Sequence, residues 1–180
     1  NYLSSITISS DGKKIAFCTD EGIKVLSIPG LESEVLSTEG HDCDELKFSK
    51  DGNFIALASR NSKIKIWNLQ NKKLVNTLDT FQNAALIDLV FSTDNKFLVV
   101  ATENDVKVWD LANNSSRNIE NRYKIKATKI SAIALSPSNN KIAVGDKEGY
   151  VKIFDLKSGA LIKNFDAGKK INDLVFDEGG

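Results

Sequence analysis

The chain has 180 residues, with 24 basic and 24 acidic side chains, a formal net charge of zero and 41% apolar residues. This size and apolar content exclude a disordered chain and are enough for one domain with a real core. The charge balance argues against a nucleic-acid partner, which normally needs a clustered basic excess. The lack of a long apolar run argues against direct membrane insertion of this segment.

One pattern recurs along the chain: an apolar strand, a short polar turn and a second apolar strand. The residue just before each turn recurs every 40 to 44 positions, at Ile8, Phe48, Phe91, Leu135 and Phe176. A second anchor ends the third strand of each unit and recurs every 41 to 45 positions, at Leu26, Trp67, Trp109 and Phe154. Two independent anchors that keep step near 42 residues indicate an internal repeat.

Each repeat is predicted to contain four short antiparallel strands. In the third strand β-branched residues alternate with lysine, which is the period-2 pattern of a β-strand, and a more polar fourth strand follows. Gly, Asn, Asp and Ser occupy the reversals, as tight hairpins require. Such units predict the blades of an all-β β-propeller, with a β-sandwich as the alternative. The predicted blades are residues 3–37, 44–78, 85–120 and 129–165, and the inner strand of a fifth follows at 170–176.

The repeat resembles the WD-repeat family. Copies of the family's Trp-Asp dipeptide and of its Gly-His pair occur at Trp109-Asp110, Trp67-Asn68, Phe154-Asp155 and Gly40-His41. The resemblance implies a ring that usually has seven blades, whereas this chain supplies four and one further strand. The chain also opens at Asn1 and contains no Met. We therefore expect an excerpt of a larger ring, completed by the same polypeptide or by another chain, with a closed four-bladed ring as the alternative.

The resemblance also implies a structural tetrad within one blade, formed in the family by His, Ser or Thr, Asp and Trp. The matching positions in the second unit are His41, Ser59, Asn61 and Trp67, with Asn in place of Asp. Hydrogen bonds within the tetrad would satisfy the indole and imidazole groups, each of which costs about 1–3 kcal/mol when buried without a partner.

Catalytic, metal and cofactor sites are not expected. His41 is the only histidine and has no matching nucleophile or paired acid. The run from His41 to Asp44 lacks a second cluster with metal-ligand spacing, so a surface turn is the favoured interpretation. The two cysteines, Cys18 and Cys43, indicate buried thiols in a reducing compartment and not a disulfide framework. This favours a cytoplasmic protein, or the cytosolic face of an organelle if the parent protein is membrane-anchored.

Partner binding is expected on one set of loops. In the WD-repeat family the loops leading into each blade and the turns between second and third strands lie on the top face of the ring, and binding residues often lie on loops held by a rigid scaffold. The loop leading into the fourth blade is basic and carries an aromatic residue. The candidate partner-binding residues are Arg60, Arg122, Tyr123, Lys124, Lys126, Lys129, Asp146 and Lys147. These charges favour a docking patch for an acidic peptide or protein surface, with a merely solvated loop as the alternative.

The leading hypothesis is therefore a non-catalytic protein–protein interaction scaffold that uses top-face loops within a larger complex. An alternative is a guanine-nucleotide exchange factor for a Sar-type small GTPase in vesicle-coat assembly. The run Val25–Glu32, followed by Glu34–Leu36 and His41, resembles the propeller exchange factor of the endoplasmic reticulum. A hydrolytic propeller is a third class, for which the innermost strands offer only Glu45 and Asp88 as isolated acids.

Overall fold

The computed structural model describes residues 5–30, 32–37, 43–59, 63–79, 85–111, 115–118 and 129–179. Within these ranges the chain forms sixteen β-strands, which make four separate four-stranded antiparallel sheets. In each sheet consecutive strands are hydrogen-bonded neighbours. The predicted all-β class with four-stranded antiparallel units is confirmed.

The strands follow the repeat in chain order. Sheet 1 contains β1 (Ile6–Ile8), β2 (Lys14–Thr19), β3 (Gly22–Ser27) and β4 (Glu32–Ser37). Sheet 2 contains β5 (Cys43–Phe48), β6 (Phe54–Ser59), β7 (Lys63–Asn68) and β8 (Lys73–Asp79). Sheet 3 contains β9 (Leu86–Phe91), β10 (Phe97–Thr102), β11 (Val106–Asp110) and β12 (Ser115–Asn118). Sheet 4 contains β13 (Ile130–Leu135), β14 (Lys141–Asp146), β15 (Tyr150–Asp155) and β16 (Leu161–Asp166).

Burial differs between the strands of a sheet in the way that their sequences indicate. In sheets 2, 3 and 4 the second strand is an apolar run that is buried on both faces; in β10, for example, the segment 98–101 is fully buried. In sheet 1 the second strand, β2, alternates between buried and half-buried residues. The third strand alternates, so that Ile64 and Ile66 of β7 are buried while Lys63 is exposed. The fourth strand is polar and lies at an edge of its sheet, and all of β16 is exposed. Burial therefore falls from the second strand to the fourth.

The turn between the first two strands is held by one serine. Ser49 Oγ donates a hydrogen bond to Asp51 Oδ1 (2.6 Å) and accepts one from the Phe54 N–H (2.9 Å). The same pair of bonds recurs in sheets 1 and 3, around Ser9 and Ser92. The turn also needs one residue with a positive φ, which is supplied in the four sheets by Gly12, Gly52, Asn95 and Asn139. The hairpin turns predicted at Asp11-Gly12 and Asp51-Gly52 are present.

The contacts divide the chain into two compact units, each with its own core. Unit 1 (Asn1–Asn83) holds sheets 1 and 2, and unit 2 (Ala84–Gly180) holds sheets 3 and 4. The core of unit 1 contains Ala16, Cys18, Ile23, Leu36, Cys43, Leu46, Ile55 and Leu57. The core of unit 2 contains Val99, Ala101, Val106, Val108, Ile130, Ile133, Ile142, Val144, Phe154 and Leu156.

The structure corrects the interpretation of the two cysteines. Cys18 of β2 and Cys43 of β5 form a disulfide with Cα atoms 6.3 Å apart, and both residues are buried, so the predictions of free thiols and of a surface turn at Cys43 are wrong. The reason is that β5 packs on the second strand of the preceding sheet. At the corresponding repeat positions of unit 2, Ile171 packs on Gly145, where a Cβ would lie 2.5 Å from Ile171 Cγ2. The argument for a reducing compartment loses its support.

The structure assigns no strand to residues 170–176, where the sequence predicts the inner strand of a fifth blade. The segment nevertheless starts as β13 does. The Ile171 N–H donates to the Asp146 carbonyl (3.0 Å), as the Ile130 N–H donates to the Glu103 carbonyl (2.8 Å). A β-ladder needs a neighbouring strand on the same sheet, and no such neighbour of 170–176 is present among the described residues.

Candidate functional site

The structure describes five of the predicted site residues: Ser59, Trp67, Lys129, Asp146 and Lys147. The others lie outside the described residues: His41, Arg60, Asn61, Arg122, Tyr123, Lys124 and Lys126. The tetrad as a whole therefore stays a prediction, as does the basic loop that leads into sheet 4.

The described half of the tetrad is not joined by a hydrogen bond. Trp67 lies opposite Ile55, near one end of β6, whereas Ser59 ends β6 and lies opposite Cys43. The Trp67 Nε1 atom is buried and has no acceptor among the described residues, and the same holds for Trp109 Nε1. Ser59 and Trp67 therefore do not pair directly, and any link between them would run through His41 or Asn61, which lie outside the described residues.

Two of the predicted lysines come together around a carboxylate that the sequence analysis did not single out. Lys147 Nζ lies 3.1 Å from Glu103 Oε1, and Lys129 Nζ lies 3.9 Å from Glu103 Oε2. The hydrogen bond from Lys147, together with the positive charges of Lys129 and Lys147, lowers the pKa of Glu103. Glu103 belongs to a turn between second and third strands, which is the signal that could have identified it.

Backbone hydrogen bonds between strand ends position these three side chains. Glu103 follows β10, Lys129 precedes β13 and Lys147 follows β14. The Lys147 N–H donates to the Lys129 carbonyl (2.9 Å), and the Ile130 N–H donates to the Glu103 carbonyl. The three residues therefore lie at one end of sheets 3 and 4: Glu103 and Lys147 on the short turns that follow β10 and β14, and Lys129 directly before β13.

A third lysine, Lys169, lies beside the turn between β14 and β15. Gly149 has φ +103°, and a Cβ there would lie 2.7 Å from the Lys169 backbone nitrogen, so only glycine lets the chain pass this closely. Lys169 itself is exposed. Glu103, Lys129, Lys147 and Lys169 together are called the lysine surface below. These four residues carry three positive charges and one negative charge, and the exposed Glu148 follows Lys147 in its turn.

Asp146 has a role that the sequence analysis did not predict. It is 3% exposed, and its Oδ1 accepts hydrogen bonds from the Glu148 N–H (3.0 Å) and the Tyr150 N–H (2.9 Å). A carboxylate that is buried and occupied in this way holds the turn between β14 and β15. Asp146 thus holds the turn, and a contact between Asp146 and a partner stays a prediction.

Two absences complete the description of the site. Among the described residues, no three His, Cys, Asp or Glu side chains are grouped so that they could hold a metal ion. In the same part of the chain there is no helix long and apolar enough to cross a membrane.

Comparison with solved structures gives the fold. The Cps50 (Swd1) β-propeller domain of Myceliophteria thermophila superposes with a TM-score of 0.79 at 16% sequence identity, over 98% of this chain and 59% of that one. At this identity the likeness shows the fold alone. The chain thus has the predicted β-propeller fold, and not that of a β-sandwich, and it corresponds to part of such a propeller.

The repeat and these sheets define the WD-repeat class of propellers. The family described as the anaphase-promoting complex subunit 4 WD40 domain matches residues 5–88 and 86–178, and the chain belongs to this family.

Curated relatives have the same repeat in longer proteins. Actin-interacting protein 1 of Caenorhabditis elegans is 25% identical over 98% of this chain and 30% of its own length. The periodic tryptophan protein 2 homolog of Dictyostelium discoideum is 24% identical over 97% of this chain and 20% of its own length. The chain thus spans less than a third of either relative. The resemblance to the exchange factor of the endoplasmic reticulum stays a prediction.

Proposed function

We propose that the chain is part of a non-catalytic scaffold that binds protein partners within a larger complex, and that the lysine surface is one of its docking sites. Membership of the WD40 family supports the general role, because a propeller supplies a rigid frame for exposed loops. The fold by itself does not identify a partner. The charges of the lysine surface narrow the choice of partner.

The observation that carries the proposal is the ratio of charges around Glu103. Two ammonium groups share one carboxylate, and the side chains of Lys129 and Lys147 are 63% and 40% exposed. Lys169, whose backbone passes Gly149, adds an exposed positive charge. An acidic peptide or protein surface complements this arrangement, and exposed charges of this kind mainly set the association rate and the choice of partner.

The proposal is tested with a fluorescein-labelled peptide of alternating Asp, Glu and Ser and its neutral counterpart of Asn, Gln and Ser. We expect the full-length protein that carries this chain to prefer the acidic peptide in fluorescence anisotropy, and added salt to reduce the preference. Replacing Lys129 and Lys147 by Gln should weaken binding of the acidic peptide about fivefold, because each exposed charge pair contributes at most about 1 kcal/mol.

A matched control removes the same charge elsewhere. Lys96 and Lys157 lie in the turns β9–β10 and β15–β16, at the strand ends opposite to Glu103, and both are exposed. Their replacement by Gln should leave binding unchanged. Equal weakening by both pairs of substitutions, or equal binding of both peptides, would contradict the proposed site.

A further inference from the structure

Unit 1 contains a cavity that the lysine surface does not involve. It has a volume of about 90 Å³ and lies between the outer strands of sheet 1 and the turn that joins β7 to β8 in sheet 2. Its apolar wall consists of Val25, Leu36 and Leu69. Leu36 belongs to the buried core of unit 1, and Val25 and Leu69 pack against that core. The cavity is therefore an opening in the core at the side of the two sheets.

The mouth of the cavity is charged. Lys72 Nζ lies 3.0 Å from Glu34 Oε2, and both side chains are about half exposed, which makes this a weak surface pair. Lys14 also lines the cavity, and its Nζ donates a hydrogen bond to the neutral carbonyl of Gly52 (3.4 Å). Asp11, whose carboxylate accepts bonds from Ser9 and the Lys13 N–H, is not among the lining residues. The lining thus carries two ammonium groups and one carboxylate.

Lys72 occupies a backbone position that favours glycine. The φ of Lys72 is +57°. The corresponding residue in the turn β15–β16 is Gly159, which also lies five residues after the third-strand anchor and has a φ of +72°. Glycine adopts this conformation without strain. A side chain is present here against the local backbone preference, and its ammonium group reaches the mouth of the cavity.

We propose that this cavity is a second docking site and that it takes an extended acidic segment of a partner protein. One aliphatic side chain of the segment packs against Val25, Leu36 and Leu69, and a neighbouring carboxylate lies near Lys14 and Lys72. The strand order leaves β4 at the edge of sheet 1, where an extended segment can add main-chain hydrogen bonds.

The test uses a labelled, capped peptide of sequence Ser-Asp-Glu-Leu-Asp-Ser and the full-length protein that carries this chain. One control peptide has Gly in place of Leu, and another has amides in place of the carboxylates. We expect the parent peptide to bind about tenfold more tightly than the Gly control, because burying an aliphatic side chain contributes on the scale of a tenfold change. We expect it to bind about fivefold more tightly than the amide control, because pairing an exposed charge contributes less than burying an aliphatic side chain.

Two protein variants locate the binding. Lys72→Gly removes the ammonium group and should weaken the parent peptide about fivefold, while the urea midpoint of the protein stays the same or rises because the positive φ is relieved. Ser27→Leu projects a larger side chain from the wall of the cavity and should abolish the preference for Leu over Gly. The control Asn95→Gly relieves a comparable φ of +56° in sheet 3 and should leave binding unchanged.

Three outcomes would overturn the proposal. The first is equal binding of the Leu peptide and the Gly peptide, and the second is a Lys72→Gly variant that binds the parent peptide like the wild type. The third is a parent peptide that does not bind, together with sedimentation that shows concentration-dependent dimers of the wild type but not of the Ser27→Leu variant. In that case a second copy of the chain would be the occupant of the cavity.

The acidic peptide also complements the lysine surface, so the amide control alone does not separate the two sites. The preference for Leu over Gly and the effect of Lys72→Gly do separate them, because neither involves the lysine surface, so this site and the proposed function fail separately.

Discussion

At the scale of single residues, the anchor residue of the third strand keeps a similar side-chain shape from repeat to repeat, but not the same polar groups. The third-strand anchor is aromatic in three sheets, as Trp67, Trp109 and Phe154. Phe154 is fully buried and has no polar atom in its side chain to satisfy, whereas both indole N–H groups are buried without an acceptor among the described residues. The position therefore requires a flat, bulky side chain, and the indole nitrogen adds a cost.

This predicts a mild effect of Trp67→Phe. An unsatisfied buried donor costs about 1–3 kcal/mol, which offsets the packing lost with the smaller ring, so the free energy of unfolding should stay within about 1 kcal/mol of the wild type. Trp67→Ala should cost about 3–5 kcal/mol. Urea unfolding followed by circular dichroism measures both variants. If Trp67→Phe proves as costly as Trp67→Ala, the indole has a partner outside the described residues, and the predicted tetrad with His41 regains support.

At the scale of elements, neighbouring sheets within a unit meet through one repeated contact. The start of one sheet's first strand packs on the end of the preceding sheet's second strand, where the residue is small. In unit 2, Ala101 and Ile130 occupy these positions in one core, and Gly145 and Ile171 repeat the contact. In unit 1 the same contact is the bond between Cys18 and Cys43.

This bond should contribute to the stability of unit 1. The sequence separation of 25 residues corresponds to about 3 kcal/mol of loop-closure stabilisation. We expect a dithiol reductant to lower the urea midpoint of the wild type. The double variant Cys18→Ala and Cys43→Ile, which copies the pair at 101 and 130, should unfold at the same urea concentration with or without reductant. A wild type indifferent to reductant would contradict the expected stabilisation.

At the scale of the molecule, sheet 1 leaves an apolar face uncovered by the described residues. Ile6 and Ile8 of β1 are 61% and 57% exposed, and Val35 of β4 is 53% exposed. Ile133 of sheet 4 occupies the same position in its repeat as Ile6, and it is 5% exposed because it lies in the core of unit 2. We infer that a further blade, from the same polypeptide or from another chain, covers this face, because exposed apolar patches mark interaction surfaces.

The inference predicts different costs for two apolar-to-charged substitutions in the full-length protein. Ile8→Asp should lower the free energy of unfolding by about 2 kcal/mol or more, because it buries an unpaired charge under the covering blade. The control Ile28→Asp lies in the turn after β3, where the side chain is 37% exposed, and should cost much less. Urea unfolding compares the two, and equal costs would mean that the face of sheet 1 stays in water.

The amino-acid sequence by itself determined the strands, the turns and their period. Strand alternation, the Ser-x-Asp turns and the positive-φ residues depend on neighbours within about five positions, so the four sheets were predictable from local patterns. The candidate site was predictable only in part: Lys129 and Lys147 were identified from the sequence, but Glu103, which lies between them, was not. The tertiary structure alone decided the contacts of Glu103, the Cys18–Cys43 bond and the cavity beside Lys72. Each joins residues from different sheets or distant turns, and a one-dimensional pattern carries no record of which strand ends come within hydrogen-bonding distance.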